Sequence, residues 1–229
     1  MKKENRIFVA LDVDETRFKE LSFSLQSATH FKVGFPLFLK IGRKGLDTLK
    51  KKGKKLFLDF KFFDIPNTMI ESAKSMIDLG ADFFTVHLLA GKDHLKKVME
   101  AVREKAGTRV KVLGVTVLTS LIDDDLKDTG IKRSLEDQVL KLAELGLAAG
   151  IDGVVSSARE LSLLHPRFED ALIYVTPGIR PFWNQKDDQK RVLGFHEALK
   201  AGATYTVIGR PITRAENPEA AFKRILKEG

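Results

Sequence analysis

Lys55-Leu56-Phe57-Leu58-Asp59-Phe60-Lys61-Phe62-Phe63-Asp64-Ile65-Pro66-Asn67-Thr68 opens as an apolar run, takes in three ionisable groups and then meets a proline. The apolar and aromatic content of Lys55–Lys61 predicts a strand, and the helical period from Thr68 to Leu79 predicts a helix after it. Strand residues i and i+2 share a face, so Asp59 and Lys61 are expected to point one way and Leu58 and Phe60 the other. Opposite charges set together suit a buried face, where either alone is costly to desolvate. Asp64 falls beyond the strand and just ahead of Pro66, which suits the first turn of a helix. The stretch reads as one strand feeding one helix, with an acid–lysine–acid cluster at the strand's C-terminal end.

The same unit recurs on both sides. Candidate strands are Ile7–Asp12, His30–Gly34, Lys55–Lys61, Phe83–His87, Val110–Val117, Gly153–Ser156, Leu172–Thr176 and Tyr205–Gly209. Amphipathic stretches follow them at Glu15–Ala28, Pro36–Lys51, Thr68–Leu79, Lys92–Lys105, Ser134–Ala149, Arg159–Leu164, Gly194–Ala201 and Pro218–Lys227. Strand then helix, eight times over, predicts an α/β chain closed into a (β/α)8 barrel, with residues 1–229 forming one catalytic domain. Leu79-Gly80-Ala81-Asp82, Ala149-Gly150-Ile151-Asp152 and Ala201-Gly202-Ala203 look like three copies of one helix-to-strand loop with glycine as the cap. Two connections exceed the usual ~2–6 residues, Leu118–Arg133 and Pro177–Leu193, and both fall on the face where barrels hold their chemistry.

Composition narrows the classes. The 229 residues are 43% hydrophobic and 31% charged, enough apolar content for a full core and too much for a disordered chain. Cys is absent, which removes disulfides and thiolate metal sites and fits a reducing cytoplasm. No stretch approaches the ~20 apolar residues of a membrane span, and Ile7-Phe8-Val9-Ala10-Leu11 is too short for a signal sequence. The net charge of +8 could draw nucleic acid or anionic metabolites. Much of it lies in helical segments such as 40–55, where a solvated face explains it. No nucleic-acid-binding motif is present, and most of the 16 Phe sit in core patterns, not on an exposed stacking surface.

Polar residues gather at the C-terminal ends of the strands: Asp12, Lys32, Asp59 and Lys61, His87, Thr119 and Ser120, Arg180, and Gly209-Arg210. In a barrel these converge on one rim. Asp12 could instead cap the helix near Glu15, and His87 reads first as a packed histidine. Lys32, between Phe31 and Val33 and ahead of Gly34, does not read as surface. After the seventh and eighth strands, where barrels hold phosphate, Gly209 allows close backbone approach, Arg210 can fork onto phosphate oxygens, and Arg180 and Gln189 lie on the preceding loop. An enzyme acting on a small phosphorylated molecule is expected.

With these residues in hand the chain resembles the orotidine 5′-phosphate decarboxylases, in their short bacterial form. Asp59-x-Lys61-x-x-Asp64-Ile65-Pro66-Asn67-Thr68 is similar to that family's signature. The likeness extends through Ala10-Leu11-Asp12, Lys32-Val33-Gly34, Val115-Thr116-Val117-Leu118-Thr119-Ser120, Thr176-Pro177-Gly178-Ile179-Arg180-Pro181, Asp188-Gln189-x-Arg191 and Gly209-Arg210-Pro211-Ile212. The resemblance implies a homodimeric barrel with neither metal nor organic cofactor, converting orotidine 5′-monophosphate to UMP and CO2 in pyrimidine synthesis. It implies that Lys61 stabilises the carbanion and supplies the proton, within a charge network of Lys32, Asp59, Lys61 and Asp64. Asp12 and Lys32 would hold the ribose, Thr119 the pyrimidine amide edge, and Gln189, Arg180, Gly209 and Arg210 the phosphate. Asp64, Ile65 and Thr68 would reach into the partner's site.

Two departures bear on loop packing. His87-Leu88-Leu89-Ala90-Gly91 stands where many members have His-Ala-x-Gly-Gly, and Gly194-Phe195 where many have Thr-Pro. A runner-up is a Mg²⁺-dependent sister barrel of the keto-gulonate phosphate decarboxylase type. Such enzymes share the third-strand motif but resemble one another in an acid on the second strand, where this chain has Lys32.

Overall fold

The computed structural model describes residues 2–181, 183 and 193–228. Eight parallel strands close into a barrel in chain order: β1 (Ile7–Ala10), β2 (His30–Gly34), β3 (Lys55–Phe62), β4 (Phe83–His87), β5 (Lys111–Val115), β6 (Gly153–Val155), β7 (Ile173–Thr176) and β8 (Tyr205–Ile208). The ring is completed by β8 pairing with β1, Val207 opposite Phe8. The helices are α1 (Glu15–Ser24), α2 (Phe35–Lys51), α3 (Pro66–Asp78), α4 (Lys92–Ala106), α5 (Asp123–Asp128), α6 (Leu135–Ala148), α7 (Leu161–Phe168), α8 (Phe195–Lys200), α9 (Arg210–Thr213) and α10 (Pro218–Lys227). Among the described residues no helix is long and apolar enough to cross a membrane.

The strands are apolar on both faces because both are buried. Phe8, Ala10, Phe57, Phe83, Leu113, Val175 and Val207 fill the barrel, while their strand neighbours, such as Ile7, Val9, Leu56 and Leu58, join the larger core shared with the helices.

The repeated glycine loops are present and have a second component. Gly80, Gly150 and Gly202 stand at φ +82°, +83° and +105°, the left-handed region glycine tolerates. Two residues on, the side chains of Asp82, Asp152 and Thr204 accept the backbone N–H of Leu56, Val112 and Tyr174 at 2.9, 2.9 and 3.1 Å. Each loop thus ties an arriving strand to the one before it. Asp82 and Asp152, both nearly buried, also take ammonium or guanidinium partners from Lys50 and Lys55, and from Arg103 and Lys111.

Several boundaries differ from those expected. α1 stops at Ser24 instead of Ala28, because Lys54 Nζ binds the carbonyls of Leu25, Gln26 and Ala28 at 3.3, 2.9 and 2.7 Å and so satisfies a non-helical backbone there. α7 is displaced to Leu161–Phe168 and carries Pro166 inside it. The connection from Leu118 to Arg133 contains α5, anchored by buried Leu126, and α9 follows β8 directly.

Candidate active site

The largest departure from a regular strand lies inside the motif itself. β3 pairs with β4 at Leu58 with Phe84 and again at Phe62 with Val86, so four steps on β3 lie opposite two on β4. The segment Asp59-Phe60-Lys61 is a bulge, and bulges re-aim side chains. Lys61 stands at φ +49°, a left-handed conformation that costs a non-glycine residue about 1–3 kcal/mol. Asp59 and Lys61 do come together, as the strand alternation suggests, but through this distortion. Phe60 anchors the outer side against Phe35 and Phe38 of α2, with ring centroids 5.2 and 5.1 Å away.

Four charged residues meet here. Lys61 Nζ donates to Asp59 Oδ1 at 2.8 Å, and Lys32 Nζ lies 3.4 Å from Asp59 Oδ2 and 3.2 Å from Asp12 Oδ1. Asp59 and Lys32 keep only 12% and 11% of their side-chain exposure, whereas Lys61 keeps 37% and reaches the cavity. Burial works to raise the Asp59 carboxyl, but Lys32, then Lys61 and the Thr85 hydroxyl outweigh it and hold the group below its ordinary range. Asp12 does not cap α1; Asp14 does, accepting the Arg17 N–H at 2.7 Å.

These residues border a cavity of about 540 Å³ at the C-terminal mouth of the barrel. Ala10, Phe57, Val115, Val155 and Val207 give it apolar walls, and Asp12, Lys32, Asp59 and Lys61 supply the charged side. Thr119, Arg180, Gly209 and Arg210 line it as well, so strands at opposite ends of the sequence contribute to one space. Asp64, Ile65 and Thr68 do not line it. They are exposed on the rim, Ile65 to 66% and its neighbour Phe63 to 59%. Gln189 lies outside the described residues.

Sequence reasoning missed Arg214 and Thr213, which also line the cavity from the end of α9. It also missed Thr85, whose fully buried hydroxyl binds both Asp59 and the Lys61 backbone. The spacing of Arg210 and Arg214 was a usable cue; for Thr85 there was none, because its partners are on another strand. His87 packs beside the site: Nδ1 accepts the Leu89 N–H at 3.3 Å and its ring lies 5.9 Å from that of Phe63. Burial and then the Lys61 charge lower its pKa, keeping the imidazole neutral.

The decisive comparison is with family models, where residues 5–225 match the one described as "Orotidine 5'-phosphate decarboxylase / HUMPS family". The chain belongs to the orotidine 5′-phosphate decarboxylase / HUMPS family. A relative named orotidine 5′-phosphate decarboxylase from Nostoc sp. is 42% identical, covering 98% of this chain and 97% of its own. One of the same name from Geobacter metallireducens is 40% identical over 97% and 95%. The crystal structure of orotidine 5′-phosphate decarboxylase from Lactobacillus acidophilus superposes with a TM-score of 0.84 at 35% identity, covering 97% of this chain and 98% of that one. The family description names two groups, and these relatives, matched over nearly their whole length, carry the name of the first.

Proposed function

We propose that this chain decarboxylates orotidine 5′-monophosphate to UMP and CO2 without a metal, with Lys61 as carbanion stabiliser and proton donor, and that it works as a homodimer. The observation that carries the reading is the Lys61 ammonium, on a strained bulge residue 2.8 Å from a buried Asp59 and beside Lys32, in the same cavity as Arg180 and Arg210.

Breaking the bond between the pyrimidine ring and its carboxylate leaves the electron pair on a ring carbon with no good π-acceptor, so a positive group is needed where that charge develops. Lys61 supplies it, then transfers a proton to the carbon and regains one from solvent. Asp59 would crowd the departing carboxylate; like charges ~4 Å apart repel by about 4 kcal/mol at an effective dielectric near 20. Enzymes lower barriers by about 8–23 kcal/mol, so repulsion is the smaller part and the preorganised cation the larger. In this reading Asp12 and Lys32 hold the ribose, Thr119 the base, and Arg180, Gly209, Arg210 and, outside the described residues, Gln189 the phosphate, whose binding energy, remote from the reacting carbon, helps organise the site.

The dimer is supported by the rim. Phe35 after β2, Phe63 and Ile65 after β3, Leu89 after β4 and Ile122 after β5 follow one another around one arc, each between 46% and 66% exposed. An apolar arc of that extent marks an interaction surface. Asp64, Ile65 and Thr68 are exposed on the same rim and do not line their own cavity, which supports the reading that they serve a partner's.

The Mg²⁺-dependent alternative is disfavoured by the donor set. Both oxygens of Asp59 face lysine ammonium groups, and Asp12 faces one of them, so a divalent cation would have to displace two ammonium groups. The test is to follow loss of the ultraviolet absorbance of orotidine 5′-monophosphate with and without EDTA. Turnover indifferent to EDTA is expected; Mg²⁺-dependent turnover of a keto-gulonate phosphate, with none of orotidine monophosphate, overturns the proposal.

A further inference from the structure

The bulge that aims Lys61 has a clip. Thr85 on β4 is fully buried and is not among the side chains lining the cavity. Its hydroxyl has one proton and two lone pairs, and both functions are engaged at the bulge. Oγ1 donates to Asp59 Oδ1 at 3.1 Å and accepts the backbone N–H of Lys61 at 2.9 Å. A bulged residue loses its ladder partner, so this N–H would otherwise be a buried donor without an acceptor. The oxygen that Thr85 contacts, Asp59 Oδ1, is also the one that receives the Lys61 ammonium.

We infer that Thr85 is a positioning residue for the reaction: one hydroxyl holds both the backbone from which Lys61 projects and the carboxylate that orients its ammonium. The inference rests on the proposed role of Lys61. It assigns catalytic consequence to a residue that need not touch substrate, and it explains how a non-glycine residue stays at positive φ in the middle of a site. The titratable groups around Asp59 are Lys32 from β2, Lys61 from β3 and, through Lys32, Asp12 beyond β1, with His87 further along β4. Thr85 is the neutral donor in that ring.

Thr85→Val keeps the shape and removes both bonds; Thr85→Ser keeps both bonds and loses only a methyl group. Thr85→Val is expected to lower kcat about 30-fold, with KM within about threefold, as for other residues that orient a catalytic group. Thr85→Ser should stay within about threefold. Losing a donor to Asp59 also raises the pH at which its carboxyl titrates, so the acid limb of the kcat/KM profile should move upward in Thr85→Val and not in Thr85→Ser. A substrate-free readout separates this inference from the functional one. The Asp59 carboxyl, followed by carbon NMR in the resting protein, should titrate at higher pH in Thr85→Val than in the parent. Absence of orotidine monophosphate turnover in the parent counts against the proposed function and leaves that titration to judge Thr85. If Thr85→Val does not fold, Thr85→Cys, whose sulfur is a weak donor and acceptor, carries the same comparisons. Equal losses in the Val and Ser variants, or an unmoved Asp59 titration, would overturn the inference.

Discussion

Replacing Asp59 with Asn should destabilise the fold itself, by an amount set by where its two lysine partners can go. At an effective dielectric near 20, ion pairs at 2.8 and 3.4 Å attract by about 6 and 5 kcal/mol, offset by several kcal/mol for desolvating the carboxylate. Asn removes the attraction and leaves two ammonium groups facing each other. Lys61, 37% exposed, can swing to water, but Lys32, 11% exposed, cannot. Breaking a buried pair costs about 3–5 kcal/mol, and since Lys61 escapes and Lys32 keeps the mostly exposed Asp12 carboxylate at 3.2 Å, the low end, ~3 kcal/mol, is expected. At about 2–4 °C per kcal/mol for a chain of this size, the melting temperature should fall by roughly 6–12 °C at pH 7. Lys61→Ala should cost far less, ~1 kcal/mol, because Asp59 keeps Lys32 and Thr85. The sign with pH follows from the Asp59 pKa lying below its ordinary 3.8 in the folded state. The stabilisation is present above that value and lost as pH falls through the folded pKa, so the gap between parent and Asp59→Asn should close in acid. Calorimetry of the three proteins at pH 7 and pH 3 reads all of this. An Asp59→Asn protein as stable as its parent at pH 7 would refute the claim that the carboxylate holds the two lysines in place.

Four further outcomes are expected. In Gly153→Ala the new Cβ would lie 2.2 Å from the Ile173 carbonyl oxygen across the β6–β7 pairing, so urea melts should show a loss of about 3 kcal/mol or more. Gly130→Ala, with open space around it and only φ +83° to strain it, should lose about 1–2 kcal/mol. His30, buried at the start of β2 against the rings of Phe8 and Phe83, has its pKa lowered from 6.5 to about 4, mainly by burial. A depressed histidine keeps its full contribution above pH 6.5 and loses it as pH falls, so His30→Phe should abolish roughly 2–3 kcal/mol of the acid weakening seen between pH 7 and 4.5. Identical pH slopes in the two proteins would count against that assignment. Finally, Asp64→Ala and Lys61→Ala subunits, each inactive alone, should on mixing recover about a quarter of parental activity, since half the dimers are mixed and each of those has one intact site. No recovery on subunit exchange would speak against Asp64 acting across the interface.

Much of the barrel was legible because both of its periodicities are local. Strands buried on both faces read as apolar runs, helices as 3.6-residue stripes, and β2, β4 and α10 have the bounds expected of them. The gathering of Asp12, Lys32, Asp59, Lys61, Thr119, Arg180 and Arg210 around one cavity also followed from strand order, because a barrel brings all strand ends to one mouth. What was not legible depends on contacts between distant residues. The end of α1 is set by Lys54, some 30 residues on, and the bulge in β3 by Thr85 on the next strand. α5 and α9, of six and four residues, are too short to show a period. The positive φ at Lys61 is a cost that only the assembled site explains.

The central claim is that the Lys61 ammonium lets this cavity decarboxylate orotidine 5′-monophosphate. It is tested most directly by rapid-quench measurement of CO2 release from carboxyl-labelled orotidine monophosphate, by the parent and by folded Lys61→Ala at saturating substrate. The account predicts stoichiometric CO2 and UMP from the parent and a rate at least about 10³-fold lower from the variant. CO2 release by Lys61→Ala at the parental rate, or none from the parent, would contradict it.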